Sequence, residues 1–167
     1  MAENAFTQNG ALSSEERAAL AKSDSKIVSG ARWFWWIAGL SLINTILIHS
    51  GSDTSFVIGL GFTLLADAIF QTIKPIAFGI DAVALGFFFA MGWFALRGHV
   101  WAFIVGIVFY ACDAGIYLFG GDWMPVAFHA LALYYLIRAT VTLRATLKSA
   151  ASVPVEPPPL PQSTSGT

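Results

Sequence analysis

Four stretches of this chain are apolar for long enough to cross a lipid bilayer: Ala31 to Ile48, Ile76 to Leu96, Val100 to Phe119, and Met124 to about Leu143. A helix rises about 1.5 Å per residue, so a hydrocarbon layer of roughly 30 Å takes about 20 such residues. Inside that layer every backbone amide must find its partner within the protein, which limits spanning structures to helices and closed barrels. Apolar runs of this length select the helix. The expected fold is therefore all-α, a polytopic membrane helix bundle, with the lipid bilayer as its first partner.

The segment 54–74, "TSFVIGLGFTLLADAIFQTIK", decides how many times the chain crosses. If it spans as a fifth helix, the basic residues divide almost evenly between the two sides. If it stays on the outer side, Arg17, Lys22, Lys26, Arg32, Arg97, Arg138, Arg144 and Lys148 all fall inside and only Lys74 falls outside. Cytoplasmic loops carry the excess of Lys and Arg, so the count predicts four transmembrane helices with both termini cytoplasmic. The pattern within the segment agrees. Thr63, Asp67, Gln71 and Lys74 recur at helical spacing, opposite Phe56, Leu60, Leu64, Leu65, Ile69 and Phe70. This predicts an outer-side amphipathic or re-entrant helix, with Thr63, Asp67 and Gln71 toward water and Phe62, Leu65 and Ile69 toward lipid or the bundle.

An internal similarity supports the alternative. "FVIGLGF" and "DAIF" resemble "FIVGIVF" and "DAGIY", and "KPIAF" resembles "MPVAF", at offsets of 46 to 50 residues. A true duplication of a helix pair would give five transmembrane helices, with the termini on opposite faces.

The ends are different material. Residues 1–29 form a polar cytoplasmic segment in which Ser13 and Glu16 can make a capping box, predicting a short surface helix. Because no basic region is followed directly by an apolar core at the start, a secretory signal is not expected. Residues 30–148 make the transmembrane bundle, and 149–167, rich in Pro, Ser and Thr, reads as a disordered Pro-rich cytoplasmic tail. Trp33, Trp35 and Trp36 would anchor the inner edge of the first span, Trp93 and Trp101 would flank the inner turn "LRGH", and Trp123 would mark the outer edge of the last.

Composition excludes several functions. With a formal net charge of −1 and no basic stripe, no nucleic-acid partner is expected. Cys112 is the only cysteine, which rules out an internal disulfide and a multi-cysteine metal cage and suggests a small buried hydrophobe. No H-E-x-x-H, G-x-S-x-G, G-x-x-x-x-G-K-[ST] or C-x-x-C occurs, so no metalloprotease, elbow-type serine hydrolase, phosphate-loop NTPase or dithiol oxidoreductase is indicated. In composition alone the chain resembles small bacterial membrane proteins, which makes a bacterial inner membrane the expected location. Ala111 and Gly115 offer a small-xxx-small face for helix packing within or between chains.

The polar residues inside the spans carry the functional signal. Counted from the span ends, Asp81, Asp113 and His129 share a depth of roughly 6 to 10 Å below the outer surface. Asn44 and His49 sit at the outer end of the first span and Asp67 on the outer helix, while Tyr110 and Tyr117 share a face with Asp113 at i−3 and i+4. A carboxylate at this depth costs a few kcal/mol and must have a partner. Asp113 is therefore expected to face the bundle beside Asp81 or His129. Three arrangements would satisfy it: a protonated Asp bonded to a neighbour, an ion pair with His129, or a divalent metal held by Asp and His. Two functions follow. One is an accessory or scaffold subunit of a homo-oligomer or larger membrane complex, its polar residues joining helices. The other is a binding or catalytic bundle with an outward-facing Asp/His pocket for a proton, metal ion or small ligand.

Overall fold

The computed structural model describes residues 12–50, 60–70 and 73–152, and these are helical with no strand among them. The elements are α1 (Ser14–Ser23), α2 (Ser25–His49), α3 (Gly61–Ile69), α4 (Lys74–Leu96), α5 (Val100–Gly120) and α6 (Trp123–Ala151). Three of them, α4 from Pro75, α5 and α6, are long and apolar enough to cross a membrane. The 25-residue α2 is of comparable length and packs alongside α4 and α6.

The four long helices form a ring in the order α2, α4, α5, α6. Two tight turns enforce antiparallel neighbours. At the first, Gly98 takes φ +78°, His99 N–H bonds the Phe94 carbonyl at 3.2 Å and Gly98 N–H bonds the Ala95 carbonyl at 3.0 Å. The second repeats this pattern: Gly121 has φ +75°, and Asp122 and Gly121 donate to Tyr117 and Leu118 at 3.1 and 3.3 Å. Such paired bonds satisfy the last carbonyls of a helix and need a left-handed residue, which glycine adopts without strain.

Phe34 of α2 lies at the centre, fully buried, with ring contacts to Phe88 of α4 and Phe103 of α5. Gly106 of α5 faces that ring, and a side chain there would collide with it. Around this centre the outward surface is also apolar, with Val108, Phe109, Phe119, Ile137 and Val141 exposed. An apolar outside is unfavourable in water and is the expected surface in hydrocarbon.

The capping box of α1 is formed: Ser13 N–H bonds Glu16 Oε2 at 2.8 Å and Glu16 N–H bonds Ser13 Oγ at 3.2 Å. The helix is more than a surface decoration, since Ala21 is fully buried and Arg17 Nη2 donates to the Gly98 carbonyl at 3.4 Å. It closes the end of the bundle that carries the α4–α5 turn. Arg97 at that turn lies 3.6 Å over the Trp93 ring.

Several sequence expectations need correction. Helix α2 begins at Ser25, inside the segment read as polar, and α6 continues to Ala151, past residue 149 where the tail was expected. Cys112 is exposed rather than buried, because the outer face of such a bundle is as apolar as its inner one and holds a small hydrophobe equally well. The Ala111 and Gly115 face also points outward, and nothing in the chain lies within 4 Å of a Cβ placed on Gly115. The described part of the 54–74 segment holds helix α3, nine residues with a rise of about 13 Å, and residues 54–59 and 71–72 of that segment lie outside the described residues. Thr63 was expected toward water but is only 1% exposed, whereas Phe62, Leu65 and Ile69 are 50%, 45% and 63% exposed, as a lipid-facing side would be. Its hydroxyl donates to the Leu60 carbonyl at 2.8 Å, so its polarity is satisfied within the helix and its small side chain can turn inward. The side chain of Asp67, Gln71 and the residues 153–167 lie outside the described residues.

Candidate functional site

The polar site is built around the amino terminus of α3. Gly61 and Phe62 are its first two residues, and Leu60 before them has no side chain able to cap the helix. Their N–H groups would be orphans in an apolar setting. Asp113 of α5 supplies what is missing: Gly61 N–H donates to its Oδ2 at 3.0 Å and Phe62 N–H to its Oδ1 at 2.8 Å. A helix amino terminus carries roughly half a positive charge, so the carboxylate is matched electrostatically as well.

One residue earlier, Leu60 N–H donates to Ser41 Oγ of α2 at 3.1 Å, and Ser41 in turn donates to the Ile37 carbonyl at 2.9 Å. Ser41 lies two helical turns before the end of α2, so the start of α3 reaches well down between the long helices rather than resting on their ends. Gly61 is required by contact, because a Cβ there would come within 2.8 Å of the Tyr117 ring.

His129 of α6 completes the arrangement. Its Nε2 is 2.9 Å from Asp113 Oδ2, and its Nδ1 is 2.8 Å from the Pro125 carbonyl. A carbonyl only accepts, so Nδ1 carries a hydrogen and donates it. The short contact between Nε2 and Oδ2 then requires a second proton between them. The pair is either imidazolium with carboxylate or neutral imidazole with carboxylic acid, and in both forms it is neutral as a unit. Tyr110 stacks on the imidazole with ring centroids 4.3 Å apart and planes 16° from parallel, and Tyr117 lies on it at 5.3 Å. Asp113 and His129 are both buried.

Asp81 is also buried but is engaged elsewhere: Thr45 of α2 donates to its Oδ2 at 2.8 Å. Of the three residues expected at one depth, the structure brings Asp113 and His129 together and ties Asp81 to the α2–α4 contact. Asn44 is buried on α2. His49 ends α2 and Asp67 belongs to α3, and the side chains of both lie outside the described residues. Among the described residues no three His, Cys, Asp or Glu side chains converge as metal ligands. Both His129 nitrogens and both Asp113 oxygens are already hydrogen-bonded within the chain.

Sequence reasoning missed Ser41, Thr45 and the α3 amides. Ser41 and Thr45 are spaced i, i+4 in an otherwise apolar run, which places two hydroxyls on one face and is the signal that could have found them. The amides have no such signal, since every residue but proline has one.

Beside the site, a crevice of about 650 Å³ runs between α3, α4 and α5. Phe62, Val83, Phe87, Phe109 and Cys112 line it, and Asp113 forms part of its wall. No protein family, curated protein or solved structure matches this chain.

Proposed function

We propose that this chain is an accessory or scaffold subunit of a bacterial inner-membrane assembly, in which the Asp113–His129 pair is an internal lock holding α3 in the bundle. In this reading α2 is a fourth span, α3 is a re-entrant helix on the outer side, and both termini are cytoplasmic. The observation that carries it is the internal use of the pair: two α3 amides, the shared proton and the Pro125 carbonyl engage both His129 nitrogens and both Asp113 oxygens. A metal would have to displace the Pro125 carbonyl or Asp113 to gain an imidazole nitrogen. The topology rests on the gathering of Arg17, Lys22, Arg97, Arg144 and Lys148 at the end closed by α1, as the positive-inside rule requires.

The test is elemental analysis of the purified protein with a stability measurement on Asp113→Asn. We expect no stoichiometric divalent metal and a loss of stability in the variant. Stoichiometric metal in the wild type that is lost from a folded Asp113→Asn protein would replace the lock by a metal site.

A second reading, a proton-binding site, is favoured by the proton that the Nε2–Oδ2 contact demands. It predicts a carboxyl band in infrared difference spectra that appears or vanishes with pH and is absent in Asp113→Asn. A spectrum unchanged by pH while the protein stays folded would count against it.

A further inference from the structure

A second groove runs along the outward face of α2 against α6, from the end closed by α1 to the level of Leu40 and Phe128. Ser25, Ser29, Arg32, Trp33, Trp36 and Leu40 line it along α2, and Phe128 closes it from α6. Its volume is about 650 Å³. These residues are graded along the helix axis. The hydroxyls of Ser25 and Ser29 come first, then the guanidinium of Arg32, then the indoles of Trp33 and Trp36, and finally the apolar Leu40 and Phe128. From Ser25 to Leu40 the axis rises roughly 22 Å.

We infer that this groove binds one anionic phospholipid, its phosphate on Arg32 and its acyl chains along Trp36, Leu40 and Phe128. The order of chemistry along the groove is that of a phospholipid: charged head, interfacial middle, hydrocarbon tail. Arg32 makes no hydrogen bond or ion pair to another described residue, so its planar fork of donors is available for phosphate oxygens. Its level is that of the aromatic belt. Trp33 stacks on Tyr135 of α6 at 5.1 Å, and Trp35 Nε1 donates to the Phe89 carbonyl at 3.3 Å, one turn from Trp93. Tryptophan concentrates at the headgroup level of a membrane. The stacking of Trp33 on Tyr135 also fixes one wall of the groove, so the site is formed before the lipid arrives. Trp36, by contrast, is 65% exposed, which suits an indole that covers a bound chain. Basic pockets between helices on the cytoplasmic side attract anionic headgroups over zwitterionic ones.

This inference rests on α2 being a span with its amino end inside, which topology reporters test separately. The full-length protein is reconstituted into nanodiscs of phosphatidylcholine with a minor fraction of phosphatidylglycerol, and the lipids retained after extraction are identified by native mass spectrometry. Wild type should retain phosphatidylglycerol several-fold above its share of the bilayer. Arg32→Gln should abolish the enrichment, and Arg144→Gln, the same loss of charge on α6, should leave it intact. Arg32→Lys keeps the charge without the fork and should retain an intermediate share, which guards against misfolding of the Gln variant. Equal loss in Arg32→Gln and Arg144→Gln would reduce the effect to general charge and overturn the site. Retention of both lipids in proportion to the bilayer would overturn it as well. So would competition by soluble glycerol phosphate, which would point to a phosphate site that needs no chain.

Discussion

Asp113 holds three hydrogen-bond partners at once, and each substitution at this position removes a different subset. Asparagine keeps one acceptor oxygen for the α3 amides, and its NH₂ can face Nε2 if His129 is neutral, but the charge is gone. We expect Asp113→Asn to destabilise the protein by about 1–3 kcal/mol, the usual penalty for an imperfectly satisfied buried group. Asp113→Ala leaves two amides without their acceptor and the imidazole without its partner and should cost about 3–5 kcal/mol. Thermal unfolding in a fixed detergent ranks the two variants, and equal costs would contradict the assignment of the amides to the carboxylate. A double-mutant cycle of Asp113→Ala with His129→Ala should show a coupling of about 1–3 kcal/mol. That Asp113 would meet Asp81 or His129 was legible because helical rise converts sequence position into depth. Depth says nothing about direction around a helix, which is why Asp81, at the same level, turned out to belong to Thr45.

For α3 the sequence pattern misplaced Thr63. A threonine on a polar stripe would face water in a soluble protein; here it is turned by a hydrogen bond that the pattern cannot display. Thr63 turns inward because its hydroxyl has an acceptor within its own helix, and the amino terminus turns inward because Asp113 and Ser41 receive its amides. Docking therefore depends on small contacts. Gly61→Ala would bring a methyl against the Tyr117 ring, and Ser41→Ala would strip Leu60 N–H of its acceptor. Either change should raise hydrogen exchange at Phe62–Ala66 by an order of magnitude or more while exchange at the centre of α5 is unchanged. Uniform acceleration across the bundle would mean that α3 is part of the global core rather than a docked element.

At the scale of the whole molecule, apolar run length and the two glycine turns account for most of the architecture. Four runs gave four long helices, and turns of two or three residues leave no alternative to antiparallel neighbours. The ring order was not legible, since α2 and α6 are joined through contacts far apart in sequence, such as Trp33 on Tyr135. Reporter fusions at Ser25 and Thr167 should both read cytoplasmic; opposite readings would revive the five-helix duplication. The docking of α3 also sets an order of events during synthesis. Gly61 and its acceptor Asp113 are 52 residues apart, and His129 follows 16 residues later. When α3 leaves the ribosome, the carboxylate that receives its amides has yet to be translated. If α3 is the re-entrant helix of the proposed reading, it waits at the wet boundary of the membrane and enters only after α5 and α6 are inserted, so that its entry is the closing step of assembly. A nascent chain arrested before α6 would hold α3 where a soluble protease can reach it.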